Sequence, residues 1–203
     1  SQLQTPSSWR CKMALQGLVN NNLGALELLQ ETIVSSGTST ITYDGIFRND
    51  EFSEYTINLN NTVLNDGSFN LSINYRGGGS TLFGSTTTYN ARIAGRLGST
   101  MSLNTDGFTL SNGSMYIANY IPAVTSTTSS TMHFKLDVKP FNPQATIQGF
   151  WAGKTHDGFY DISNAYCTID TLATAVDGIV LGWTDSRYWV SGQIQVYGKK
   201  RNA

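Results

Sequence analysis

The sequence predicts an all-β protein, an antiparallel β-sandwich with a short arm at its N-terminus. Many short segments alternate apolar and polar residues with a period of two, which is typical of strands with one buried face. Turn residues separate these segments at intervals of roughly 8 to 12 residues, and no regular alternation of helices and strands is indicated. We therefore assign residues 1 to 24 to the arm and residues 25 to 203 to the β-sandwich domain.

The arm differs from the rest of the chain because it lacks regular alternation. Ser8 is placed to cap a short helix that begins at Trp9, although the helical pattern is weak. Trp9, Met13 and Leu15 are its candidate residues for contact with a neighbouring subunit or a larger particle. Termini are ordered when they are docked, so an arm that packs on its own domain is an equal alternative.

The first strands are predicted over residues 26 to 34 and 38 to 43. Leu26, Leu29 and Ile33 also fit one face of a helix. A turn sequence at residues 35 to 37 and the β-branched residues that follow it favour a pair of strands instead.

The clearest β pattern follows. Alternating apolar residues predict strands over residues 54 to 60 and 69 to 76, and the sequence Asn65-Asp66-Gly67-Ser68 favours a chain reversal between them. These two strands form either a hairpin or members of two neighbouring pairs.

A glycine run, Gly77-Gly78-Gly79, comes next and predicts a loop, with strand character resuming over residues 86 to 94. A phosphate-binding loop requires a following helix and a Lys-Ser or Lys-Thr pair. Neither follows this run, so nucleotide binding is not indicated.

Further strands are predicted at short intervals along the remaining chain. They cover residues 99 to 104, 108 to 110, 115 to 121, 132 to 138, 145 to 153, 159 to 169, 178 to 184 and 190 to 198. Turns are predicted at Thr105-Asp106-Gly107 and Asn112-Gly113. The alternation around His133 places this side chain on the solvent face, where a solvated histidine is favoured over a metal ligand.

Composition limits the kinds of function. The 203 residues include 13 Lys and Arg against 14 Asp and Glu, and 13% of the residues are charged. A net charge of -1 provides no electrostatic surface for nucleic acid or an anionic membrane. No apolar run of about 18 residues and no leader pattern is present, so membrane insertion is not expected.

Cys11 and Cys167 are the two cysteines. A disulfide between them is left open, but a core of this size does not require one. Two free thiols, as in a reducing cytoplasm, are the favoured interpretation.

No sequence motif indicates an enzyme or a cofactor. Gly-x-Ser-x-Gly, Cys-x-x-Cys and His-Glu-x-x-His are absent, so no catalytic residue and no metal site is assigned. His156-Asp157 lies on a predicted turn, where Asp more often binds local backbone amides than a metal. The spacing of the aspartates does not select a carboxylate pair for glycoside hydrolysis.

One cluster of aromatic and polar residues suits carbohydrate binding. Trp183, Arg187, Tyr188 and Trp189 lie in one connecting segment, and aromatic faces beside hydrogen-bond donors stack on sugar rings. Large aromatic side chains are usually buried, so the alternative is that the two tryptophans are core residues at strand ends.

Several short motifs resemble small β domains of bacteriophage tail and particle proteins. The matching stretches are residues 28 to 37, residues 52 to 61, Leu71-Ser72-Ile73-Asn74-Tyr75, Gly78-Gly79-Ser80-Thr81, Tyr89, Gly178-Ile179 and Ser191-Gly192-Gln193-Ile194-Gln195-Val196-Tyr197-Gly198. The chain departs from this pattern at Arg76, where an acidic residue is usual, and at Val196, where Leu is usual. The resemblance implies a jelly-roll-like, multimeric virion protein, and no catalytic residue is carried over from it.

These observations lead us to expect a non-enzymatic structural component of a bacteriophage virion, in a tail fibre, baseplate or particle surface. It would mediate assembly and host attachment, and it would be assembled in the host cytoplasm. Expected partners are other virion proteins, further copies in a homotrimer, and a host-surface glycan, without nucleic acid or cofactor. The alternatives are a carbohydrate-binding receptor-recognition module and a jelly-roll capsid or decoration subunit.

Overall fold

The computed structural model describes residues 25–65, 71–82, 88–97, 101–110, 115–116, 132–141, 145–154, 160–169, 175–183 and 187–201. All regular structure within these residues is β-strand, so the predicted all-β class is confirmed. The strands are β1 (Leu26–Val34), β2 (Thr40–Tyr43), β3 (Phe52–Leu64), β4 (Leu71–Gly77), β5 (Ser80–Leu82), β6 (Thr88–Leu97), β7 (Met101–Leu110), β8 (Met115–Tyr116), β9 (Met132–Lys139), β10 (Ala145–Lys154), β11 (Tyr160–Ile169), β12 (Gly178–Trp183) and β13 (Trp189–Lys200).

Two antiparallel sheets contain these strands. The large sheet has the order β1-β13-β3-β9-β10-β11-β6-β7, and the small sheet has the order β2-β12-β4-β5, with β8 paired to β4. One sheet is curled into a half-barrel, and the architecture resembles a β-sandwich. The chain passes from one sheet to the other at each of the connections between β1, β2, β3 and β4.

The connections between the first strands differ from the simplest expectation. β3 and β4 do not form a hairpin, because β3 pairs with β13 and β9 while β4 pairs with β12. Likewise β1 and β2 are strands but do not pair with each other, since β1 pairs with β13 and β2 with β12. An alternating pattern defines the buried face of a strand but not its hydrogen-bonded neighbour. β3 and β4 instead belong to pairs in two different sheets.

The core contains the apolar faces of both sheets. Ile57 and Leu59 of β3 and Ile73 of β4 have no exposed surface. The rings of Phe134 on β9 and Trp183 on β12 join the two sheets, with centroids 6.1 Å apart. Burial of each such side chain contributes about 1.5–3 kcal/mol to folding, so the alternating apolar residues provide the main driving force.

Gly78 and Gly79 form a tight turn between β4 and β5, so the predicted loop is confirmed for these two residues, whereas Gly77 continues β4 and pairs with Ser80 of β5. Gly78 and Gly79 have φ angles of 59° and 77°, in the region that favours glycine. The guanidinium of Arg76 donates to the carboxylate of Asp44 and to the carbonyl of Gly79. The Gly78 amide donates to Asp177 Oδ2 at 3.1 Å. Because these contacts hold the turn, strand structure resumes at β5, earlier than the sequence predicts.

A partly buried amide joins three connecting segments. Asn49 Nδ2 donates to the carbonyl of Val176 at 2.9 Å and to that of Pro140 at 3.5 Å. Asn49 Oδ1 accepts from the hydroxyl of Tyr55 at 3.2 Å. These bonds satisfy polar groups that would otherwise be costly to bury beside the core.

The later strands lie close to their predicted positions, with one correction. β9, β10, β11, β12 and β13 begin and end within two residues of the predicted segments. His133 is exposed on β9, as the alternation predicts. The turn predicted at Thr105-Asp106-Gly107 is wrong, because these residues continue β7 and pair with β6. An Asp-Gly sequence permits a turn, but the hydrogen bonds of the ladder override this local preference.

Candidate functional site

The predicted carbohydrate-binding cluster is not arranged on the surface. Trp189 has no exposed surface and Trp183 is 7% exposed. Their rings pack edge to face with centroids 5.2 Å apart, and Trp183 also contacts Phe134 in the core. A buried indole has no face available for a sugar ring, so the interpretation of these two residues as sugar contacts is corrected. The alternative drawn from the sequence, core residues at strand ends, describes them.

The other two members of that cluster are partly buried and lie just before β13. Tyr188 is tied to the end of β3: its amide donates to Asn65 Oδ1 at 2.9 Å, and its carbonyl accepts from the Asn65 amide at 3.2 Å. Arg187 precedes it and is also partly buried. The segment therefore connects β3 with β13 and supports the packing of the two tryptophans.

The candidate attachment residues Trp9, Met13 and Leu15 lie outside the described residues, as do Cys11 and His156. Their predicted roles stay predictions. Cys167 lies on β11, where its backbone pairs with Ile147 and Asn90.

A groove crosses the face of the large sheet that points away from the core. Its volume is about 620 Å³. Six adjacent strands contribute to it. They supply, among others, Leu26 from β1, Lys199 from β13, Glu54 from β3, Lys139 from β9, Gln148 from β10 and Tyr166 from β11. We call this feature the sheet groove.

Strand register arranges part of the groove lining in a row. Thr56 on β3 lies opposite Asp137 on β9, and Asp137 lies opposite Gln148 on β10. Gln148 in turn lies opposite Tyr166 on β11. Neighbouring strands are about 4.8 Å apart, so the six strands span about 24 Å across the groove. The row therefore aligns a hydroxyl, a carboxylate, an amide and an aromatic ring, of which Thr56 is buried while Gln148 and Tyr166 are exposed.

Two lysines surround the first carboxylate of the groove. Lys199 Nζ donates to Glu54 Oε1 at 2.6 Å. Lys139 Nζ lies farther away, 3.9 Å from Glu54 Oε2, and its side chain is 59% exposed. Since Glu54 is already engaged at close range by Lys199, the ammonium of Lys139 is accessible to a ligand.

The second carboxylate is held in the same manner. Asp137 Oδ2 accepts from Lys135 Nζ at 2.9 Å, and Asp137 Oδ1 accepts from the hydroxyl of Thr56 at 2.8 Å. Asp137 therefore has a hydrogen-bond donor on each oxygen, whereas the close donor to Glu54 is on Oε1. In the described lining three ammonium groups face two carboxylates, which leaves one positive charge in excess.

Tyr166 gives the groove an aromatic wall. Tyr166 is 47% exposed, whereas the tryptophans predicted for this role are buried. Gln148, opposite it, is also exposed and offers an amide donor and acceptor. An aromatic ring beside an amide, a hydroxyl and ammonium groups is suited to a ligand with apolar ring faces and polar edges.

A second exposed feature is the β1 edge of the large sheet. Leu26, Leu28 and Ile33 on β1 and Val190 on β13 are between 41% and 73% exposed, and we call them the edge surface. Among the described strands β1 has one hydrogen-bonded neighbour, β13, so no described strand pairs with the backbone groups on its other side. Exposed apolar residues on such a strand are characteristic of an interaction surface.

The acidic side chains of β1 both bind partners within the domain. Lys200 Nζ lies 2.9 Å from Glu27 Oε2, and its hydrogen bond lowers the pKa of the Glu27 carboxyl, with a smaller contribution from Arg48. Glu31 Oε1 accepts from the amides of Gln193 and Gln195 at 2.7 and 2.8 Å. Glu27 is therefore poorly placed to repel a neighbouring chain, although charged residues are a common means by which exposed edge strands avoid association.

The sequence did not identify the sheet groove as a site. Its residues occupy the polar positions of strands that are far apart in the chain, and each one is an ordinary solvent-facing residue of its own strand. The alternation of apolar and polar residues does indicate that Tyr166 and Lys139 lie on the polar face of their strands. Only the order of strands in the sheet brings these positions together.

The structure and the comparisons with known proteins add three observations. Within the described ranges no group of three or more His, Cys, Asp or Glu side chains is arranged to hold a metal ion. In that same part of the chain there is no helix with the length and apolar character needed to cross a membrane. No family model, no curated protein and no solved structure matches this sequence.

Proposed function

We propose that this chain is a non-enzymatic structural component of a bacteriophage virion, built on a jelly roll that assembles through its β1 edge. It is located in the virion after assembly in the host cytoplasm. The observation that carries the proposal is the nested pairing of its strands. The resemblance of the short strand motifs to phage tail and particle proteins supports the same function.

The pairing supports a jelly roll in the following way. A jelly roll is an eight-stranded double sheet with Greek-key connections. This fold forms when a long antiparallel ladder is rolled up. The first strand then pairs with the last, the second strand pairs with the one before the last, and so on towards the middle of the ladder. Here β1 pairs with β13, β2 with β12, β3 with β9 and β4 with β5. β10, β11, β6 and β7 extend the large sheet beyond this ladder.

This fold is used by viral capsid proteins and by lectins, and the edge surface favours an assembly role. A domain that presents Leu28 and Ile33 at 48% and 73% exposure gains free energy by covering them. A homotrimer closed by rotation covers one such edge in every subunit and leaves no free end for unlimited growth. In a tail fibre, in a baseplate or on the particle surface, such a trimer would contact other virion proteins.

Two measurements test the proposal. An image reconstruction of the intact virion should contain density for this domain in threefold groups. A purified particle from which the chain is absent would reject the virion function.

Analytical ultracentrifugation tests the assembly separately. The parent should sediment as a trimer, and the double variant Leu28→Glu/Ile33→Glu should sediment as a monomer with an unchanged far-ultraviolet circular-dichroism spectrum. Phe150→Glu is the matched control, because Phe150 is 47% exposed on the same sheet but lies away from the edge. A parent that stays monomeric at high concentration would reject the trimer.

A further inference from the structure

We propose that the sheet groove binds an acidic oligosaccharide, with Tyr166 stacking on a sugar ring and Lys139 contacting a carboxylate or sulfate of the ligand. This inference goes beyond a structural role and does not depend on it. It also places carbohydrate recognition at residues other than the tryptophans that the sequence suggests.

The shape of the groove favours an extended ligand. The lining crosses six strands, about 24 Å at the usual strand spacing, and the volume is about 620 Å³. A sugar chain can lie along such a groove while one part of it rests against the ring of Tyr166. The exposed half of that ring provides the apolar surface on which the face of a sugar packs.

The polar lining favours hydroxyl groups as hydrogen-bonding partners. Gln148 lies directly opposite Tyr166 and is exposed, so its amide can donate to one hydroxyl and accept from another. Thr146 lies opposite Lys139 and adds a hydroxyl at the next position of β10 on this face. Such alternating donors and acceptors match a polyol better than an apolar ligand.

The charges favour an acidic sugar chain over a neutral one. Glu54 and Asp137 are each engaged by a lysine and do not cancel the positive charge of Lys139. A ligand carboxylate or sulfate beside Lys139 would therefore gain an ion pair without displacing an existing close one.

The same two carboxylates disfavour nucleic acid. A nucleic acid carries a phosphate at every nucleotide. Phosphates laid along this groove would come close to Glu54 and Asp137. An oligosaccharide with one acidic group in every second sugar can place that group at Lys139 and neutral sugars beside the carboxylates.

Isothermal titration calorimetry tests the inference. The probes are an oligosaccharide of alternating uronic acid and N-acetylhexosamine, its carboxyl-reduced neutral counterpart, and a single-stranded oligonucleotide of similar length. We expect the acidic probe to bind about tenfold more tightly than the neutral one, with an affinity that falls as salt is added. The oligonucleotide is expected to bind more weakly than either.

Four single variants locate the site. Tyr166→Ala and Lys139→Gln should each lower the affinity for the acidic probe about tenfold, and Lys139→Gln should remove the preference for the acidic over the neutral probe. Tyr166→Phe keeps the ring and should retain the parent affinity. Asn164→Ala, which changes an exposed residue on the same strand, is the control and should also retain it.

Several outcomes would overturn the inference. These are no heat of binding for the acidic probe, equal affinity for both sugars, tighter binding of the oligonucleotide, or an equal loss in Asn164→Ala and Tyr166→Ala. None of these outcomes bears on the trimer or on the presence of the chain in the virion, because those tests use different residues and different measurements.

Discussion

The ring of Phe52 occupies the space where residue 198 would carry a side chain. A Cβ atom built on Gly198 would lie 2.5 Å from Phe52 Cδ1, and Phe52 itself has no exposed surface. Glycine at position 198 is therefore required by close packing between β13 and the start of β3.

We expect Gly198→Ala to destabilise the domain by about 2 kcal/mol, in the range of other overpacked cores. Gly182→Ala is the matched control, because the nearest atom to a Cβ there is Thr40 Oγ1 at 3.5 Å, an ordinary contact. Urea unfolding followed by tryptophan fluorescence gives both values. Equal midpoints for the two variants would contradict the proposed packing.

Trp189 should be essential for stability. Its indole is fully buried against Trp183, so Trp189→Ala leaves a cavity and should cost about 3–5 kcal/mol. Tyr188→Ala, a partly buried neighbour whose two hydrogen bonds to Asn65 use its backbone, should cost much less. If the Trp189→Ala and Tyr188→Ala domains are equally stable, the indole of Trp189 does not belong to the core.

Buried tyrosines should make the domain sensitive to alkaline pH. Burial is the main cause that raises the pKa of Tyr55 well above its ordinary value, and it also raises the pKa of Tyr43. Above about pH 10 the unfolded chain loses these protons while the folded chain keeps them, so stability should fall as pH rises, by up to about 1.4 kcal/mol per pH unit for each tyrosine. Below that pH the contribution is constant.

Urea midpoints at pH 8 and pH 11 measure this effect. Tyr55→Phe loses the hydrogen bond to Asn49 at pH 8, about 1 kcal/mol, but should lose less additional stability at pH 11 than the parent. Tyr197→Phe, a change on the outer face of β13, should retain the parent's alkaline loss. The same pH dependence in Tyr55→Phe and the parent would refute the role of this hydroxyl.

The contacts of Arg76 should control the order of the glycine turn more than global stability. Arg76→Ala removes hydrogen bonds to Asp44 and to the Gly79 carbonyl, and hydrogen exchange at Gly78 and Gly79 should accelerate. The unfolding free energy should fall only modestly, because Asp44 is half exposed to solvent. Arg48→Ala, which breaks exposed ion pairs elsewhere, should leave exchange at the turn unchanged.

The strand positions could be predicted because alternating apolar residues in the sequence of each strand indicate its buried face. β9 is the clearest case, since Phe134, Leu136 and Val138 alternate with charged or polar residues and are all buried. The turn at Asp106-Gly107 was predicted wrongly because local turn preference does not include the hydrogen bonds that β7 makes with β6. Local patterns therefore define the strands but not always their ends.

The site could not be predicted because it depends on which strands become neighbours. Trp183 and Trp189 were predicted to bind sugar because they are aromatic residues close together in sequence, yet each lies on the buried side of its strand. Tyr166 and Lys139 belong to strands separated by β10, and their shared groove follows from sheet order. The type of each side chain can be read from the sequence, but which distant segments become neighbouring strands cannot.

The pairing of β1 with β13 has a consequence for biosynthesis. Among the described strands a ribosome makes β1 first and its partner β13 last, so the pair cannot form until all the strands between them have emerged. Throughout translation the early strands have unpaired edges, and chaperones have time to bind them. The yield of this protein should therefore respond to the supply of chaperones more than that of a domain whose neighbouring strands follow each other along the chain.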